Sequence, residues 1–413
     1  MAGSIRKTPA GNWRAYWRNP TGRQESKTFP TKREAAGFLA QLASAATAGT
    51  YVSPNAGRVL FGDHARQWME SWNTEATTTA RDASIMRTHV IAQWGTWPMA
   101  KIDHMAIQTW ITELGKRLAP ATVAECRRLT GAVLRSAVRN RLITHNPCEG
   151  IRVPKRRRHD TDDQVIARDV FRARLLPVLP ELHRGVVAIA GGAGLRWGEA
   201  AGVCADALDL DRAQVRVIRT VIEVAGHTSF KPFPKSAAGR RTVPLPAWLV
   251  TILREHMAAH ELGAGDLVFS NTVGGALRRT LFRSRIWRPA LVRAGQLGTL
   301  TRAGDEWVAG WTDSTSQRHR LSFATETAAV NHVARHQDGG LRFHDLRHSY
   351  ATWLVDDGVP PNMVQRVMGH ERSATTLDLY TRRTNDPTRI LRALDDEEPD
   401  DPADGPAGAL VPS

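Results

Sequence analysis

A chain of 413 residues with 42% hydrophobic side chains is long enough for two or three domains with real cores. No apolar run reaches the roughly 18–20 residues of a membrane span: the longest, GVVAIAGGAGL, ends just before Arg196, and the opening MAGSIRKTPAGNW lacks the apolar core of a signal peptide. The net charge is +15; setting aside the seven acidic residues of the C-terminal stretch DDEEPDDPADGPAGALVPS leaves +22 on the body, which points to a polyanionic partner and, by default, to nucleic acid. The expected setting is therefore cytoplasmic, without membrane contact. Cys126, Cys148 and Cys204 form no CxxC or Cys/His spacing, so neither a disulfide scaffold nor a zinc site is predicted. Cys126 and Cys204 read as buried apolar residues.

In chain order, residues 1–30 predict three short strands, SIRKT, WRAYWRN and RQESKTF, separated by the turn sequences PAGN and NPTG. Alternation puts Trp13, Ala15 and Trp17 on one face and Arg14, Tyr16 and Arg18 on the other, where they are candidates for DNA contact. TKRE starts a helix, with Thr31 as its cap and Glu34 closing a capping box. A structural or protein-binding module is the alternative reading of this sheet and helix.

Residues 59–150 predict a helical domain. In its last helix Val123, Cys126, Leu129, Val133 and Ala137 form an apolar stripe, Pro120 suits the first turn, and the arginines fall mostly on other faces. VPKRRRHDTDDQV, residues 153–165, reads as an exposed basic linker. Residues 166–395 alternate helices with a β-rich stretch running through AQVRVIRTVIEV to GRRTVPLP. Residues 396–413 form an acidic tail, expected to be disordered. The fold class is multi-domain and mainly α with small β-sheets.

Within 166–395, polar residues stand where a plain core needs none. AGLRWGEA puts Arg196 and Glu199 three apart on one face near a helix start, and FHDLRHSYAT does the same for His344 and Arg347. FKPFPKSAAGRRTVPLP carries Lys235 at a turn between strands, with Lys231 four residues earlier as a rival; the PKS…RRTVPLP context favours Lys235. VMGHERSATTLDLY supplies His370 and Tyr380, and Tyr350 reads as packing. Each pair alone is ordinary: a surface ion pair, a helix stop, a core phenol. Together they suit phosphoryl transfer. Two arginines can clamp non-bridging oxygens bidentately, histidines can donate or move protons, a lysine can protonate a leaving alkoxide, and a tyrosine hydroxyl can form a covalent intermediate. No carboxylate cluster offers a Mg²⁺ site, so no metal or other cofactor is expected.

The order GLRWGEA, PKSAAGRRTVPLP, FHDLRHS, MGH, TTLDLY resembles the tyrosine recombinase family, especially phage and mobile-element integrases. The resemblance spans the whole chain. It implies an arm-type DNA-binding domain at 1–52, a core-binding domain at 59–150 and a catalytic domain at 166–395. It implies Tyr380 as nucleophile, Arg196 and Arg347 on the phosphate, Lys235 as general acid, His344 and His370 completing the pocket, and Glu199 in support. It further implies double-stranded attachment sites, a homotetramer on DNA in a bacterial nucleoid, and directionality set by a DNA-bending host factor and an excisionase. Three alternatives stay open: a catalytically silent DNA-binding protein on this scaffold, a type IB topoisomerase-like enzyme and a chromosome-dimer-resolving recombinase. Residues 295–340 exceed what the family usually needs and read as a surface insertion, with an added hairpin. A metal role for its His319, His332 and His336 is the weaker reading.

Overall fold

In the computed structural model the described residues are 3–19, 22–49, 51–154, 164–231 and 239–369. The chain divides into two units, residues 1–159 and 160–413.

The first unit opens with an antiparallel sheet of three strands, β1 (Gly3–Lys7), β2 (Trp13–Arg18) and β3 (Gln24–Phe29), with β2 in the middle. Helix Lys32–Thr47 covers it. Its entry is fixed as the sequence predicts: Glu34 N–H donates to Thr31 Oγ1 (3.2 Å), and Thr31 N–H donates to Glu34 Oε2 (3.3 Å). Ala15 and Trp17 are buried while Arg14 and Arg18 stay exposed, so the alternation along β2 holds. Trp17 packs with Leu42 and Tyr51, and its indole N–H donates to the Tyr51 hydroxyl (3.0 Å), so the polar tips of both rings are satisfied.

Helices Phe61–Glu70, Ala76–Ile85, His104–Gly115 and Pro120–Arg139 follow, with the helical turns Met86–Val90 and Ile91–Trp94 continuing the second of them. All five predicted stripe residues of Pro120–Arg139 are fully buried, in a core with Phe61, Met86 and Trp94. Arg128 is not a spare cation on this helix: it pairs with Glu125 (2.5 Å) and with the buried Asp82 (2.5 Å).

The second unit is built around helix Glu181–Ala193. Its residues from Gly185 to Ala193 are all buried, as befits a helix that is apolar all round. The β-rich stretch is not one continuous run. Strands β4 (Leu208–Asp209) and β5 (Gln214–Val217) belong to one sheet; β6 (Thr220–Val224) and β7 (His227–Lys231) form a separate hairpin; β8 (Arg241–Pro244) returns to pair with β5. AQVRVIRTVIEV therefore breaks at Ile218–Arg219.

Residues 295–340 also depart from expectation. They hold a three-stranded antiparallel sheet, β9 (Thr299–Ala303), β10 (Glu306–Thr312) and β11 (Arg318–Phe323), then helix Glu326–His336. This is no mere surface addition. Ala309, Ala329, Val330 and Val333 are fully buried in the main core of the unit. Arg288, itself buried, donates to the carbonyls of Ala334 (2.5 Å), Gly339 (2.8 Å) and Gln337, satisfying acceptors that the helix end leaves over.

Candidate active site

Four short elements of the second unit meet at one place, and each is shaped locally by its sequence. Helix Glu181–Ala193 stops at Gly194, which adopts a left-handed conformation (φ 64°). A side chain there would also collide with Tyr350, because a Cβ would lie 2.4 Å from its Cδ1. Glycine is thus demanded twice, and Tyr350 is buried packing, as its sequence context suggests. Arg196 then caps the five-residue helix Trp197–Ala201, and the Glu199 carboxylate accepts from the Arg196 backbone N–H (2.9 Å). Helix Asp345–Asp356 starts after His344. Its first turn is fixed by the buried Asp345, which accepts from the Arg342 backbone (2.7 Å) and side chain (2.6 Å). Helix Pro361–Met368 ends at Gly369, again left-handed (φ 61°).

Three arginines converge on the carbonyls that this last helix leaves unpaired. Arg241 Nε donates to Val367 O (2.6 Å), Arg347 Nη2 to Met368 O, and Arg196 Nη2 to Gly369 O (3.3 Å). The negative end of the helix dipole and the orphan acceptors favour cations there. Arg347 also donates through Nη1 to Gly194 O (2.7 Å), which ties the ends of two helices to one guanidinium. Burial, then the charge of Arg196, lowers Arg347 to about 9, still protonated at neutral pH.

Glu199 lies among these cations. Its Oε1 accepts from Arg196 Nη1 (2.8 Å) and Arg241 Nη1 (3.2 Å); its Oε2 accepts from the Arg196 backbone and from Arg241 Nη2 (2.9 Å). Burial alone would raise this carboxyl, but the hydrogen bonds and charge of Arg241, joined by the charge of Arg196, hold it down to about 2. The side chains of Glu199 and Arg241 are each 4% exposed, whereas that of Arg196 is 41% exposed. The one arginine that reaches solvent is thus backed by a buried acid and a buried base. Burial of the His344 ring, then the charges of His348, Arg347 and Arg196, lowers its imidazole to about 4 and keeps it neutral at pH 7.

Arg196, Glu199, His344 and Arg347 are therefore brought together. Lys235, His370 and Tyr380 lie outside the described residues, as do the basic run of the linker and the acidic tail; Lys231 ends β7, opposite Thr220. The sequence reading missed Arg241, although a signal was present. Arg241 and Val243 stand two apart on β8 and share a face, and Val243 is fully buried. An arginine on an inward face requires a buried partner. Among the described residues no group of three or more His, Cys, Asp or Glu could hold a metal ion. His332 and His336 instead stack on each other (4.1 Å between centroids), His319 stacks on Trp311, and His319 Nε2 meets Asp313 Oδ2 (2.8 Å). No helix among the described residues is long and apolar enough to cross a membrane.

A cluster of arginines at a helix end, one of them reaching solvent, with a neutral histidine near their charges, is suited to a phosphodiester. Residues 176–386 match the Phage integrase family, residues 1–47 the phage integrase N-terminal domain, and residues 61–153 the phage integrase central domain. The chain belongs to the phage integrase family. It is a site-specific tyrosine recombinase, and so an enzyme acting on DNA. Over 394 residues it is 27% identical to a protein named for the prophage phiRv2 integrase of Mycobacterium tuberculosis, a match covering 91% of this chain and 90% of that one. Solved structures share the fold, and two of them show it. One is the Tn1549 transposon integrase in complex with transposon right end DNA (TM-score 0.58, 18% identity, 81% of this chain and 99% of that one). The other is a lambda integrase tetramer bound to a Holliday junction (TM-score 0.50, 14% identity, 92% of this chain and 96% of that one).

Proposed function

We propose that this recombinase integrates and excises a phage or mobile element by cutting and rejoining double-stranded attachment sites through a 3′-phosphotyrosyl intermediate at Tyr380. The observation that carries the reading is the convergence of Arg196 and Arg347 on the end of the helix that closes at Gly369, one residue before His370, with the neutral His344 within reach of both charges. Arg196 and Arg347 hold the non-bridging oxygens of the scissile phosphate and stabilise the charge that builds in the transition state. The Tyr380 oxygen attacks phosphorus and its proton passes to a neighbouring histidine. The bond from phosphorus to the 5′ oxygen breaks, and Lys235 supplies the proton that this oxygen takes up. The released 5′ hydroxyl of a partner strand then attacks the phosphotyrosine. One phosphoester bond forms for each that breaks, so ATP is not consumed. His370 completes the pocket and Glu199 supports it.

In this reading residues 1–52 bind arm-type sites through the face bearing Arg14, Tyr16 and Arg18; residues 59–150 grip the core site, and residues 166–395 perform the chemistry. The lambda integrase tetramer on a Holliday junction supports exchange of two strand pairs in turn within a homotetramer. A DNA-bending host factor and an excisionase would set direction. The test is recombination between two attachment sites on one plasmid without ATP. The wild type yields two circles, and Tyr380→Phe yields none. Equal product from both proteins would remove Tyr380 from the reaction.

A further inference from the structure

The assigned chemistry leaves unused a buried cation that touches the site, Arg241. In a side chain that is 4% exposed, Nε, Nη1 and Nη2 of Arg241 all donate to protein acceptors, so it is held by more polar partners than either proposed phosphate-holding arginine. It donates to both Glu199 oxygens, to Val367 O and to Gly239 O (3.2 Å). A structural tie between β8 and the helix end would need only the carbonyl bonds. The positive charge against Glu199 does something further, because it acts on the same carboxylate that Arg196 touches.

Consider the charge balance. Arg196 and Glu199 alone would form a closed pair, with one positive and one negative charge cancelling. Such a pair offers little to an incoming phosphate, since Arg196 would have to give up its partner to bind. Arg241 changes this balance. Glu199 is saturated by four hydrogen bonds, two of them from Arg241, and the buried carboxylate is shared between two guanidinium groups. With Arg347, the four side chains leave a net of two positive charges around the pocket, and the exposed end belongs to Arg196.

Resting on the recombinase reading above, we propose that Arg241 is a positioning residue that holds the Glu199 carboxylate from behind, so that Arg196 keeps its charge for the scissile phosphate. Glu199 then orients Arg196 without neutralising it. The hydrogen bond to Val367 couples this arrangement to the helix end that precedes His370.

The test is single-turnover cleavage of nicked attachment-site DNA at saturating protein, with DNA binding and the melting transition measured in parallel. Arg241→Met leaves Glu199 to pair with Arg196 alone. Cleavage should fall about 10²-fold, the usual effect of losing one preorganised electrostatic partner, while DNA binding stays near wild type. Adding Glu199→Gln to Arg241→Met removes the unshared negative charge, and cleavage should recover about tenfold or more over the single variant, about 1.4 kcal/mol of barrier. A residue with a merely structural role would make the double variant equal to or slower than the single one. Arg241→Lys keeps the charge but loses the fork, and should retain cleavage to within about tenfold, since lysine serves as a point charge. This arm stands even where the methionine variant does not fold. Arg241→Met cleaving like wild type, a double variant no faster than Arg241→Met, or a lysine variant that binds and melts like wild type but cleaves about 10²-fold more slowly would each overturn the proposal. Wild type and Tyr380→Phe run alongside. A wild type without cleavage fails the recombinase reading itself, whereas a cleaving wild type with the wrong variant pattern fails only the role of Arg241.

Discussion

Replacing Gly194 with alanine perturbs the point where Tyr350, Arg347 and the end of helix Glu181–Ala193 meet. Two costs can be separated. Alanine in the left-handed conformation that Gly194 holds, at φ 64°, costs about 1–2 kcal/mol. The new Cβ would lie 2.4 Å from Tyr350 Cδ1 and 2.9 Å from Cε1, so the buried ring must shift, which costs about 1–3 kcal/mol. The single variant should therefore lose about 2–5 kcal/mol, the sum of the two ranges. In a Tyr350→Ala background the collision disappears and only the backbone cost remains, so the double-mutant cycle should show a coupling of about 1–3 kcal/mol. Urea unfolding of the full chain, followed by far-UV circular dichroism, reads this in the transition that Tyr350→Ala itself displaces. Additivity within about 0.5 kcal/mol would refute the claim that the ring presses on Gly194. Because Gly194 O also accepts from Arg347, the alanine variant should cleave DNA more slowly even at temperatures where it is folded.

Glu199 is held at about 2, below its ordinary 4.5, so its contribution is present above pH 4.5 and is lost as the pH falls from there towards 2. The difference in unfolding free energy between wild type and Glu199→Gln should shrink by up to about 3 kcal/mol over that window; a constant difference would count against the buried ion pair. His344, lowered to about 4, should show no imidazole titration between pH 6 and 8 by NMR in the DNA-free protein, and a midpoint near 6.5 would contradict the crowded, cationic pocket. Replacing Arg14 and Arg18 with glutamine should weaken arm-site binding and flatten its dependence on log salt by about 0.9 for each DNA phosphate no longer neutralised. An unchanged slope would place that face of the sheet away from the DNA backbone.

Much of the architecture was legible because it is written in periodic or local signals. The stripe from Val123 to Ala137, the Thr31–Glu34 box and the alternation of Ala15 and Trp17 each depend on residues close in sequence. The pairing of Arg196 with Glu199 could be read from their spacing. Arg241 was harder, since its partner Glu199 lies 42 residues away and its carbonyl acceptor 126 away. Only its shared face with Val243 hinted at burial. The core role of residues 295–340 was hidden for another reason. It rests largely on small residues such as Ala309, Ala329 and Ala334 between charged and aromatic ones, so the helical stripe of Ala329, Val330 and Val333 is short and built from small side chains. The division of the β-rich run between two sheets depends on which strand returns to pair with β5, and local propensity does not carry that information.

The central claim is that Tyr380 becomes joined to DNA, and covalent trapping tests it most directly. Wild type and Tyr380→Phe are incubated with nicked duplexes carrying the sequences that flank the gene, and the protease-digested product is mapped by mass spectrometry. The expected result is a nucleotide adduct on the peptide containing Tyr380, a free 5′ hydroxyl on the released strand, and no adduct with the phenylalanine variant. Specific binding without an adduct in the wild type, or an adduct on any other residue, would contradict it.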